Sequence, residues 1–306
     1  MLKKIFLIGL LGILISCKRD TKVKAETKTT TQTVKTENYT LQKIEENSKG
    51  LLILFGGFGE NPEAIEREFN ILKIAQKNKI SVLLMNYSQK LWLETTDKTY
   101  LAQMLQGTIK QHNLNKENLY VGGFSSGGLV SVLLSDYIVS MKQYHIDPKG
   151  VFLVDSPIDL LELYRTSEKN IANNFSDVSV QESNWIINTL SAKMGEPKNG
   201  IAPYENYAVY THETNNTKNL SHLKNTKIRL YTEPDFKWWK EQRMAEPEQT
   251  NAFYIKALAK SLQQKGFKDV NYIATKNKGY RANGHRHPHS WSIIEKEELI
   301  NWMLQD

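Results

Sequence analysis

The chain has 306 residues, 40% of them hydrophobic, which suits one large α/β domain or two small ones with a substantial core. Its formal charge of +7 owes much to Lys3 and Lys4 and to Lys18, Arg19, Lys22, Lys24, Lys28 and Lys35. No basic run is interleaved with aromatics, which excludes a nucleic-acid groove, and the single cysteine, Cys17, excludes an internal disulfide framework.

In chain order, Met1-Leu2-Lys3-Lys4 is a charged start, and Ile5 to Ile15 is an apolar stretch of about eleven residues, too short to span a bilayer comfortably. The sequence Leu14-Ile15-Ser16-Cys17 resembles a bacterial lipobox. That resemblance implies a signal peptide over residues 1–16, cleavage before Cys17 and acylation of that cysteine. Several acyl chains, at about 0.8 kcal/mol per buried CH₂, would hold the protein on a membrane. Lys18 stands where some lipoproteins carry an inner-membrane retention aspartate, so the expected location is the outer membrane of a bacterial envelope. Residues 17–37, rich in Thr and Lys, are expected to form a disordered tether before a folded domain over 38–306.

The folded part opens with Tyr39 to Ile44, whose alternation predicts an edge strand. Leu51 to Phe55 is wholly apolar, as a parallel strand covered on both faces should be. It breaks at Gly56-Gly57-Phe58-Gly59, and a helix is expected from about Pro62 to Ala75. Ile80 to Met85 reads as a second buried strand, and Tyr100 to Gln111 as a helix. Further strands are expected at Leu119 to Gly122, Gly150 to Val154, Lys227 to Tyr231 and Val270 to Ala274, with a final helix from about Ile293 to Leu304. This alternation predicts a mostly parallel sheet with helices on both faces. Between Asp155 and Lys227 the rhythm fails, leaving helical stretches at Leu160 to Lys169 and Val180 to Lys193.

The densest chemical signal is Gly123-Phe124-Ser125-Ser126-Gly127, set between the strand ending at Gly122 and an apolar helical run from Gly128 to Leu134. A serine on so tight a turn has strained backbone angles, and glycines on either side relieve the crowding. Strand, G-x-S-x-G and helix together resemble the nucleophile elbow of the α/β-hydrolase fold. The resemblance runs from about Tyr39 to the end of the chain and implies that the interval at about 157–226 is a cap insertion. It also implies that Ser125 is the nucleophile and that the N–H of Ser126 is half of an oxyanion hole. The other half falls to the glycine-rich loop, with Phe58 the preferred donor and Gly57 the alternative.

A serine needs a base oriented by a third group, and this fold places them in the order Ser, acid, His. Asp235, after the strand at 227–231, is the expected acid, with Glu233 and Asp155 as alternatives. The segment Gly284-His285-Arg286-His287-Pro288-His289-Ser290-Trp291 should carry the base. His289 is preferred because it lies nearest the final helix and precedes a bulky residue; His285 and His287 are its rivals. Three alternating histidines also allow a metal reading, but no carboxylate or cysteine co-ligand is evident, so no metal or organic cofactor is expected. Trp238 and Trp239 either line a pocket or pack the next helix.

The expected function is a lipid-anchored serine hydrolase acting on carboxylic esters through an acyl-enzyme. A serine peptidase or amidase uses the same groups. A catalytically silent fold that binds an envelope polymer is the reading from another class.

Overall fold

The computed structural model describes residues 30–305. Eight strands form one sheet: β1 (Thr31–Lys35), β2 (Tyr39–Ile44), β3 (Gly50–Phe55), β4 (Ile80–Met85), β5 (Leu119–Phe124), β6 (Gly150–Val154), β7 (Lys227–Thr232) and β8 (Val270–Ala274). Their spatial order is β1-β2-β4-β3-β5-β6-β7-β8. The pairs β1·β2 and β2·β4 are antiparallel, and every other pair is parallel.

Strands β3, β4, β5 and β6 are buried along their whole length, and their alternate residues serve two separate cores. Leu51, Ile53, Phe55, Val121 and Leu153 face one; Leu52, Leu54, Val82, Tyr120 and Phe152 face the other. A period of two with both faces covered explains why these strands appear as nearly unbroken apolar runs. The first core is closed by α3 (Thr95–Gln111), α4 (Ser126–Ser140) and α9 (Asn251–Gln264). The second is closed by α1 (Pro62–Phe69), α2 (Leu72–Lys77) and α10 (Lys296–Leu304).

Three expectations are corrected. The helix expected over 62–75 is two helices, because Asn70 takes a left-handed conformation (φ 48°) and ends α1. The tether expected over 17–37 is ordered from Thr31, where the β-branched alternation Thr31-Gln32-Thr33-Val34-Lys35 adds a strand to β2. That strand takes the sheet edge, so β2 is flanked on both sides and is not the edge strand. The lipobox and the first part of the tether lie outside the described residues.

No sheet strand occurs between β6 and β7. Their connection contains α5 (Leu160–Asn173), α6 (Asp177–Met194) and α7 (Ala202–Tyr207). Asp159 starts α5 by accepting hydrogen bonds from the N–H groups of Leu161 and Glu162, and it also accepts one from the N–H of His212. Burial of this carboxyl pushes its pKa up to about 6. After β7, α8 (Phe236–Arg243) precedes α9.

Candidate active site

Ser125 lies between β5 and α4 with φ 53° and ψ −127°. A non-glycine residue there carries backbone strain on the order of 1–3 kcal/mol. The flanking glycines make the turn possible: a Cβ on Gly123 would collide with the carbonyl of Gly127, and one on Gly127 with the carbonyls of Phe55 and Gly56. The second contact also brings the glycine-rich loop after β3 against the start of α4. Although Ser125 is the N-cap of α4, its side chain caps no helix N–H. Its hydroxyl instead meets His289, with Oγ 3.1 Å from Nε2.

The other ring nitrogen of His289, Nδ1, lies 2.6 Å from Oδ2 of Asp155. Facing a carboxylate, Nδ1 carries the proton and donates it, which leaves Nε2 to accept from the serine hydroxyl. Sheet register explains the choice of acid. Phe124 pairs with Val154, and the N–H of Ser125 donates to the carbonyl of Val154. Ser125 and Asp155 are therefore the residues that follow two adjacent strand ends. Asp155 has φ 43°, a region that Asp tolerates better than most side chains. It is buried, and Oδ1 accepts from the hydroxyl of Thr232.

The acid expected at Asp235 is not at the histidine. Asp235 accepts from the N–H of Trp238 at the start of α8 and pairs with the guanidinium of Arg286 at 2.6 Å. Glu233 is buried and pairs with the same guanidinium; its Oε2 accepts from the backbone N–H groups of Lys278 and Gly279. Both carboxylates thus hold the loop that carries His289.

The three histidines of that loop part company. His285 is exposed. His287 lies against Trp238 and Trp239, and its Nδ1 accepts from the backbone N–H of His289. Burial, helped by the charges of His289, Arg281 and Arg243, pushes the His287 pKa down to about 3, so this ring is neutral at ordinary pH. Trp238 and Trp239 therefore pack the histidine loop as well as their own helix. Among the described residues no group of three His, Cys, Asp or Glu side chains could hold a metal ion.

Of the expected oxyanion donors, Gly57 is already engaged: its N–H donates to Oε2 of Glu60 at 2.7 Å. The N–H groups of Phe58 and Ser126 have no internal acceptor among the described residues. For Ser126 this follows from its place in the first turn of α4. Oε2 of Glu60 also accepts from the indole N–H of Trp291, which stacks on Phe69. One carboxylate oxygen so joins the glycine-rich loop to the segment after His289. The ring of Phe58 packs at 4.8 Å on Trp185 of α6, which brings the β6–β7 connection over that loop.

Beside His289 opens a cavity of about 610 Å³, within the range of small-molecule sites. Residues of α5 and α6 line it together with Trp239, Arg243, Arg281 and His287. Glu60, Trp185, Arg243 and Arg281 had no distinguishing signal in the sequence, since each has at least one partner far along the chain: Trp291, Phe58, Phe175 and Phe124 respectively.

No family model matches the sequence, and no curated protein matches it significantly. Solved structures do resemble it. Carboxyl esterase 2 from the mycorrhizal fungus Tuber melanosporum is 14% identical with a TM-score of 0.55, over 92% of this chain and 88% of that one. A putative esterase from Staphylococcus aureus gives 12% and 0.54, over 91% and 84%. A hormone-sensitive lipase from a metagenome library gives 13% and 0.53, over 90% and 84%. At these identities the likeness establishes the fold, and it is the α/β-hydrolase fold.

Proposed function

We propose that the chain is a serine hydrolase that cleaves carboxylic esters through an acyl-enzyme. The observation that carries this reading is the unbroken relay Ser125 Oγ to His289 Nε2 at 3.1 Å and His289 Nδ1 to Asp155 Oδ2 at 2.6 Å. Ser125 attacks the ester carbonyl as His289 takes its proton, and Asp155 stabilises the imidazolium so formed. The N–H groups of Phe58 and Ser126 receive the developing oxyanion, where one donor is worth about 3 kcal/mol of transition-state stabilisation. His289 then protonates the leaving alkoxide. In the second half it draws a proton from water, which attacks the acyl group and frees Ser125. Residues of the 157–226 connection form the cap of this site and set which acyl and alcohol groups enter.

A fluorophosphonate probe tests the reading, since it labels only an activated serine. Labelling at Ser125, with turnover of p-nitrophenyl butyrate above that of the matched anilide, is the expected result. Absence of labelling overturns the enzyme and leaves a silent binding fold; faster anilide turnover would make it an amidase.

We also propose that Cys17 carries the protein on the envelope membrane. The lipobox-like Leu14-Ile15-Ser16-Cys17 supports this reading, and no described helix is long and apolar enough to cross a bilayer. Cys17→Ser should lose incorporation of labelled palmitate and move from the membrane to the soluble fraction. Unchanged partition would overturn the anchor.

A further inference from the structure

The cleft beside His289 holds an imbalance of charge. Six arginines are described; Arg67, Arg165, Arg229 and Arg286 each pair with a carboxylate, whereas Arg243 and Arg281 have none within ion-pair distance among the described residues. Both of these arginines line the cavity beside His289. Aromatic rings hold them instead. The guanidinium of Arg281 lies 5.7 Å from the ring centroid of Phe124, whose own ring is 4.5 Å from that of His289. Arg281 is thus within a small molecule's reach of the base. Arg243, exposed at the cavity rim, donates one Nη1–H to the carbonyl of Gln242 and lies 5.7 Å from the ring of Trp238 and 5.9 Å from that of Phe175, with its other donors open. Stacking on a ring satisfies the face of a guanidinium and does not use up its N–H donors.

The remaining charges do not cancel them. Glu182 on α6 is the one acidic residue lining the cavity, and it is exposed and pairs with neither arginine. His287, its pKa pushed down to about 3 chiefly by burial, contributes no charge. An unpaired guanidinium in a partly enclosed cleft gains most from a planar oxyanion, to which it donates two parallel hydrogen bonds.

Building on the ester-hydrolase reading, we infer that the substrate is an acidic ester, whose carboxylate or comparable oxyanion is received by Arg281 and Arg243 while its ester carbonyl lies at Ser125. Recognition of charge so near the base selects among esters that an apolar pocket would accept alike.

Two pairs of esters, each matched except for charge, test this. In the first, p-nitrophenyl hydrogen adipate is compared with its methyl ester, which places the anion on the acyl side. In the second, 4-carboxyphenyl butyrate is compared with 4-carbamoylphenyl butyrate, which places it on the alcohol side. The acidic member of at least one pair should have a kcat/KM about tenfold or more higher at low salt, and 0.5 M NaCl should shrink that ratio. Arg243→Gln and Arg281→Gln should each lower the ratio, and the double variant should bring it to about one. Comparing two substrates on one preparation cancels any loss of folded protein. Equal rates in both pairs for the wild type, or a preference that survives in the double variant, would overturn the inference. Turnover of the neutral esters reads the hydrolase assignment separately, whatever the ratio.

Discussion

Ser125→Ala should lower ester turnover by about 10⁴- to 10⁶-fold with the melting temperature nearly unchanged, because the attacking oxygen is lost while the turn is kept. Ser126→Ala is the informative partner. The Ser126 hydroxyl is buried and finds no hydrogen-bond partner among the described residues, so its removal strands nothing. The Ser126 N–H, the group proposed to bind the oxyanion, survives the change. Turnover should therefore stay within a few-fold and stability should hold or rise slightly. Steady-state kinetics on p-nitrophenyl butyrate with thermal melts of both variants decide the matter. A dead Ser126→Ala enzyme beside an active Ser125→Ala enzyme would move the nucleophile by one residue.

The second large effect separates two aspartates. Asp155→Asn should reduce kcat by about 10⁴-fold, since an amide at that position favours the wrong tautomer of His289 and leaves the imidazolium unsupported. Asp235→Asn should cost no more than a few-fold. Asn caps a helix as well as Asp does, and Arg286 keeps its buried partner Glu233. Comparing kcat for the two variants on one ester gives the answer. The reverse order of severity would return the acid to the end of β7.

Much of the architecture could be seen in the residues because both cores draw on runs that are apolar throughout, such as Leu51 to Phe55 and Val82 to Met85. The elbow was legible for a local reason, since the glycines and the strained serine sit within five residues. His289 was legible from its place before the last helix. The acid was not, because the choice between Asp155 and Asp235 turns on which strand lies beside β5, and strand order is not written in any one segment. Asp235 follows a strand end and looks suitable until Arg286, on a distant loop, is seen to claim it. The edge strand β1 was hidden by composition: its threonines and lysine resemble the tether before it, and its ordering comes from pairing with β2.

The direction of β1 decides at which end of the sheet the chain enters the domain. β1 and β4 both run antiparallel to β2, so β1 points the same way as the parallel strands. Thr31 is paired with Ile44 at the starting end of the sheet, whereas Ser125 and Asp155 stand at its finishing end, about 20 Å away for strands of this length. The chain therefore enters the domain on the side remote from Ser125 and Asp155. Were Cys17 acylated, the tether would join the domain at the end of the sheet opposite its cleft. That arrangement leaves the mouth of the cleft clear of the chain's own entry, so a soluble molecule could approach it without meeting the tether.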